Sequence, residues 1–157
     1  MTAGRALDIP GAGVVIPDGW SGEATAPDEW PAGRTIALIA NGSLSPACET
    51  RDGERSCSAP ATTLGDGDLV VWWLTTTCAA AACDPSSGRP LLVGGRAAVE
   101  TSDVQACDPL QTTRQRAFVV TVSPQRVDAL VVCERNPDAA TLNQLDNLLQ
   151  AIDWRTP

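Results

Sequence analysis

Ala117-Phe118-Val119-Val120-Thr121-Val122, Ser123-Pro124-Gln125-Arg126, Val127-Asp128-Ala129-Leu130-Val131-Val132-Cys133, and Asn136-Pro137-Asp138 running on to Trp154 form the stretch that decides the fold. The first six residues read as a buried strand, the next four as a turn, and 127–133 as a second strand. Asn136 suits a helix N-cap, because its side chain can accept a hydrogen bond from a free amide of the first turn. Pro137 suits the first helical position, and Asp138 places a negative charge at the positive end of the helix dipole. Leu142, Leu145, Leu148, Leu149 and Ile152 recur at helical spacing, with polar residues between them, and read as core. Burying each such side chain is worth roughly 1.5–3 kcal/mol before the entropy of ordering is subtracted. A hairpin followed by an amphipathic helix supplies one sheet face and its cover.

Working outward, Leu69-Val70-Val71-Trp72-Trp73-Leu74 is apolar on both faces, the pattern of a central strand covered on each side. Thr35 to Ala40 is a second strand, ending at Asn41-Gly42. Val14-Val15-Ile16 and Arg96 to Thr101 are shorter ones, and Leu91-Leu92-Val93 is a strand or a turn. Residues 43–67 read as a long loop, 79–84 as a turn and 103–115 as a polar connection. The expected organisation is a flexible leader over 1–12, followed by a single disulfide-stapled domain over 13–157. Its fold class is α+β: a mainly antiparallel sheet of about five or six strands packed by the C-terminal helix.

The chain has 157 residues, enough for one domain with a proper core, and 43% of them are hydrophobic. A net charge of −8 argues against a nucleic-acid or anionic-membrane partner, since both require a basic patch. Neither histidine nor lysine occurs, and all 11 basic residues are arginine. The arginine bias with abundant Ala, Gly and Pro resembles coding at high GC content, as in actinobacteria. Without histidine there is no imidazole base, pH switch or metal ligand.

Six cysteines must then be thiols, thiolate metal ligands or disulfides. No CxxC pair is present, which disfavours a zinc ribbon or a thioredoxin-type site. Three disulfides are expected, implying an oxidising compartment. Of the fifteen possible connectivities, sequential pairing is favoured: Cys48–Cys57, Cys78–Cys83 and Cys107–Cys133. Residues 1–12 lack a basic and an apolar segment of the signal-peptide kind, and no run is long enough to span a membrane. Met1 is therefore read as an artificial start, with a signal peptide, lipoprotein anchor or membrane helix expected upstream.

Three segments together resemble PsbP-like domains: Val15-Ile16-Pro17-Asp18-Gly19-Trp20 at the start, Gly94-Gly95-Arg96-Ala97-Ala98 in mid-chain, and Leu145 to Trp154 at the end. The resemblance implies an α-β-α sandwich and a protein of the secreted or membrane-anchored actinobacterial type. It also implies an interaction or assembly module, with no common catalytic residues to carry over.

The candidate functional residues are few. Asp66-Gly67-Asp68 offers carboxylates, but a calcium loop needs more ligands at defined spacing, and a turn before a strand accounts for them. Trp72 and Trp73 are adjacent on a strand and so point to opposite faces; one of them could line a ligand cleft. Arg114 and Arg116, with Arg96, could fork onto an anion. A serine hydrolase would need an unusual base, and nothing in the sequence places two acids in one cleft for glycoside hydrolysis. No metal or cofactor is expected. The leading functional expectation is a non-catalytic extracytoplasmic module that binds a protein partner or supports an assembly at the cell envelope through the stapled loop 43–67, with the Cys78–Cys83 turn beside it. The alternatives are a small-molecule or glycan carrier with a Trp-lined pocket, and an atypical carboxylate-dependent hydrolase.

Overall fold

The structure, a computed structural model, describes residues 4–25, 30, 34–60, 63–77, 88–102 and 104–155. The decisive hairpin forms as β10 (Arg114–Ser123) and β11 (Arg126–Glu134), longer at both ends than the apolar runs alone suggest. β11 pairs on its other side with β7 (Leu69–Thr77), and β7 with β4 (Thr35–Ala40). β3 (Ser21–Ala24) flanks β4, while β9 (Arg96–Thr101) and β8 (Arg89–Val93) extend the sheet beyond β10. The result is a seven-stranded antiparallel sheet in the order β3-β4-β7-β11-β10-β9-β8.

Alternation along these strands sorts their side chains onto two faces. Val71, Trp73, Phe118, Val120, Leu130 and Val132 share one face with Leu145, Leu148 and Leu149 of the helix α1 (Ala139–Gln150). Ile9, Ala12, Val14 and Ile16 join the same core from β1 (Arg5–Ile9) and β2 (Ala12–Ile16). These two strands and the short β12 (Asp153–Trp154) make a three-stranded sheet beside the helix. The opposite face carries Val70, Ala117, Val131 and Cys133 and is covered by Leu64, Cys107 and Leu110, which lie outside regular strands. A third element of sheet is the hairpin of β5 (Ala47–Arg51) and β6 (Glu54–Ala59), which among the described residues pairs only with itself.

Several expectations are corrected here. The fold is not an α+β sandwich of five or six strands. Twelve strands in three sheets dominate the described residues, with one short helix and one 3-10 turn at Asp108–Leu110. No second helical layer forms among these residues: loop segments cover the second face, and the Cys107–Cys133 disulfide pins one of them to β11. Arg5–Ile9 is not a flexible leader, because β1 is hydrogen-bonded along its length to β2 and Ile9 is buried. The stretch 43–67 is not wholly loop, because it contains β5 and β6. Finally, the helix starts later than expected. Asn136 adopts a left-handed φ of 50°, and Asp138 is the N-cap, its carboxylate accepting the Thr141 amide at 2.8 Å. Chain beyond Gln150 turns and returns as β12, so Ile152 reaches the core from outside the helix.

Candidate functional site

The self-paired hairpin β5–β6 projects as an arm. Asp52 and Gly53 form its two-residue turn, with φ of 53° and 81°, the left-handed pair that the favoured hairpin turn requires. Most of its side chains are exposed: Glu49, Thr50, Arg51, Asp52, Glu54, Arg55 and Ser56. A lone two-stranded hairpin is marginal in water. This one is stapled between directly opposed residues by Cys48–Cys57, and Cys57 is buried against Trp30 and Leu38.

At the base of the arm, where the chain leaves β4 and enters β7, lies a cavity of about 270 Å³. Ala40, Leu44, Leu64, Leu69 and Val70 form the apolar part of its lining, and Ser43, Ser45, Thr63 and Asp68 contribute to a polar part of similar extent. Its walls are held by hydrogen bonds. Asn41 donates to the Gly67 carbonyl (2.8 Å) and accepts from the Leu69 amide (2.9 Å). Arg135 donates to the Leu64 carbonyl at 2.9 Å. Asp68 accepts the Gly65 amide on Oδ2 at 2.7 Å, while its Oδ1 has no hydrogen-bond partner among the described residues. Asp66 accepts from Asn136 Nδ2, so Asp66-Gly67-Asp68 serves as a turn into β7. Among the described residues no group of three or more Cys, Asp and Glu side chains is placed to hold a metal.

Arg114 and Arg116 do come together, but onto the protein's own carboxylates. Arg116 Nη2 donates to Glu134 at 2.9 Å and Nη1 to Glu100 at 3.3 Å, with the pair Arg116–Glu134 buried. Arg89 also bonds Glu100. Arg114 stands half-exposed over both glutamates at 3.7 and 3.9 Å. Burial alone pushes the Glu100 pKa up, but hydrogen bonds and positive charge from Arg89 and Arg116 outweigh it and hold the group below its ordinary value. Arg96 is directed elsewhere, to the Val122 carbonyl.

The two adjacent tryptophans separate as strand geometry demands. Trp73 is fully buried, donates to Asp128 at 2.9 Å and meets Trp154 edge-on. Trp72 is half-buried on the other face, donates to Thr35 Oγ1 and packs on Trp30 at 5.5 Å between ring centroids. Neither lines a cleft described above, and the shallow groove between β2 and α1 is lined by Val15, Pro17, Gln144 and Leu148 without a tryptophan. Sequence reading missed Asp128, a wholly buried carboxylate. It is gripped by Arg126 through Nε (2.9 Å) and Nη2 (2.8 Å), and by Thr75 (2.7 Å) as well as Trp73. An acid two residues after a turn arginine on an apolar strand was the available signal.

Cys48–Cys57 and Cys107–Cys133 are disulfides; Cys78 and Cys83 lie outside the described residues, as does the turn expected between them. Two disulfides are the cysteine chemistry of a secreted or extracellular protein. Among the described residues no helix is long and apolar enough to cross a membrane. Neither a family model nor a curated protein matches this sequence.

Proposed function

We propose that this protein is a non-catalytic extracytoplasmic module that binds a protein partner at the envelope of a high-GC bacterium, with the β5–β6 arm as its contact surface. The observation that carries this reading is the arm itself. Among the described residues this hairpin adds no strand to the main sheet, its two outer edges have no ladder partner, and it exposes charged side chains. Yet it is stapled across its strands and anchored through Cys57. Free strand edges are the part of a sheet most able to pair with another chain, and ordering them beforehand lowers the entropy lost on binding. The carboxylates that converge elsewhere, Glu100 and Glu134, are held by arginines and not presented to a substrate, which favours binding over hydrolysis.

The test replaces residues 49–56 with Asn-Gly and compares the variant with the unaltered protein, both bearing a photo-cross-linker at an exposed helix position, Asp146, or at the position joining the arm. The melting temperature should be retained. Proteins cross-linked from actinobacterial envelope extract near the arm should disappear, with the Asp146 products unchanged. An identical set of cross-linked proteins with and without the arm would refute the assignment.

A further inference from the structure

The cavity at the base of the arm carries a more specific inference, which rests on the reading of the arm as the partner surface. The geometry points to this cavity as a receptor for one lysine side chain of the partner. Three features argue for that chemistry. Ala40, Leu44, Leu64 and Val70 line one part of the cavity and polar groups line about as much again, and its volume of about 270 Å³ admits a flexible hydrocarbon stem. Asp68, on the lining, has one carboxylate oxygen engaged by the Gly65 amide and the other without a partner among the described residues. The Gly65 bond fixes the carboxylate while leaving an acceptor for a charged donor. Ser43, Ser45 and Thr63 supply further acceptors, and an ammonium has three donors to place. An apolar body with a compact cationic end is the lysine side chain.

The occupant must come from elsewhere. These 157 residues contain no lysine, so none of their side chains, in this copy or a second one, supplies the ammonium. The net charge of −8 favours approach of a basic segment. The cavity is also next to the arm in the chain: Ser43, Leu44 and Ser45 lead into β5, and Thr63 and Leu64 follow β6.

The experiment titrates isotopically labelled protein with Nα-acetyl-lysine N-methylamide and follows backbone amide shifts. The norleucine and arginine analogues serve as comparisons. Saturable shifts confined to residues 41–45 and 63–70 are expected with the lysine compound and not with norleucine. Asp68→Asn keeps the bond to Gly65 and should weaken binding about tenfold or more, the loss of one bond to a charged group. Thr63→Trp, at an exposed position on the rim, should block the cavity without touching the core. Equal shifts with norleucine or arginine, no saturation, or an unchanged affinity in Asp68→Asn would overturn the site.

The source is tested by acetylating the amines of the envelope extract before mixing, which leaves this chain untouched. Loss of the arm-dependent cross-links supports a partner lysine, and their persistence overturns it. If the lysine compound binds but replacing the arm changes no cross-link, the cavity stands and the arm reading fails. Arm-dependent cross-links without lysine binding give the reverse.

Discussion

Asp128 shows what a single residue can decide in this protein. Its carboxylate is removed from water on the helix side of β11 and is tolerated only because Arg126, Trp73 and Thr75 supply donors to both oxygens. Truncating it leaves a buried indole N–H without its acceptor and a partly buried guanidinium with only the Pro10 carbonyl. Asp128→Ala should therefore cost about 3–5 kcal/mol of unfolding free energy, measured by urea titration. A loss below 1 kcal/mol would mean that solvent replaces the carboxylate.

Glu100 makes a different prediction. Its folded pKa is depressed, so its ion pairs stabilise the protein fully above its unfolded value and cease to do so as pH falls through the folded one. Stability measured from pH 6 downward should decline less steeply below about pH 4.5 in Glu100→Gln than in the unaltered protein. Parallel curves would remove Glu100 from the acid transition. These residues were only half legible in the sequence. Arg114 and Arg116 stood out as a pair of cations, but their carboxylates come from β9 and β11, and only strand register places Glu100 and Glu134 beneath them.

Between elements, legibility followed periodicity. β4, β7, β10 and β11 announced themselves because the sheet buries them on both faces, and unbroken β-branched and aliphatic runs have few other uses. β1, β5 and β6 are exposed along most of their length, so no face is selected for apolar residues. Their signal lay in the turns. Asp52-Gly53 is a hairpin dipeptide that the polarity of residues 43–67 concealed. The helix boundary shifted for a related reason: Asn136 is accommodated at positive φ and bonds Asp66, which leaves the cap to Asp138.

Gly94 joins two elements far apart in sequence. It turns β8 into β9 at φ 56°, and a methyl group there would meet the Ile152 carbonyl and lie 2.7 Å from Trp154 Nε1, which itself donates to the Val93 carbonyl. Gly94→Ala should thus cost about 1–3 kcal/mol through left-handed strain and displacement of the tail. The displacement should appear as a changed Trp154 environment in near-ultraviolet circular dichroism. An unaltered spectrum and stability would show that the turn can shift independently of β12.

For the whole molecule, the main question is what covers the second face of the sheet, the feature that the sequence concealed most completely. Helices cover a face with a readable stripe. Here Leu64, Val104, Cys107 and Leu110 reach it from irregular segments, with no period to read. A cover of this kind has little cooperativity of its own, so its attachment to β11 must come from contacts and from Cys107–Cys133, both ends of which are fully buried. That bond closes 26 residues of chain, and in the loop-entropy account it restricts the unfolded state by about 3.5 kcal/mol. Cys48–Cys57 closes only 9 and constrains a hairpin that pairs with no strand of the main sheet among the described residues.

The two bridges should therefore separate when each is removed as a Cys→Ala pair. Without Cys107–Cys133 the global unfolding free energy should fall by about 3 kcal/mol or more, with faster hydrogen exchange at β7, β10 and β11. Without Cys48–Cys57 the global value should fall by less, at most about 2.5 kcal/mol in the same account, while amides of residues 47–59 exchange faster and the rest keep their protection. If both pairs lowered global stability equally, the arm would be part of the cooperative fold, and its assignment as a projecting contact surface would lose its physical basis.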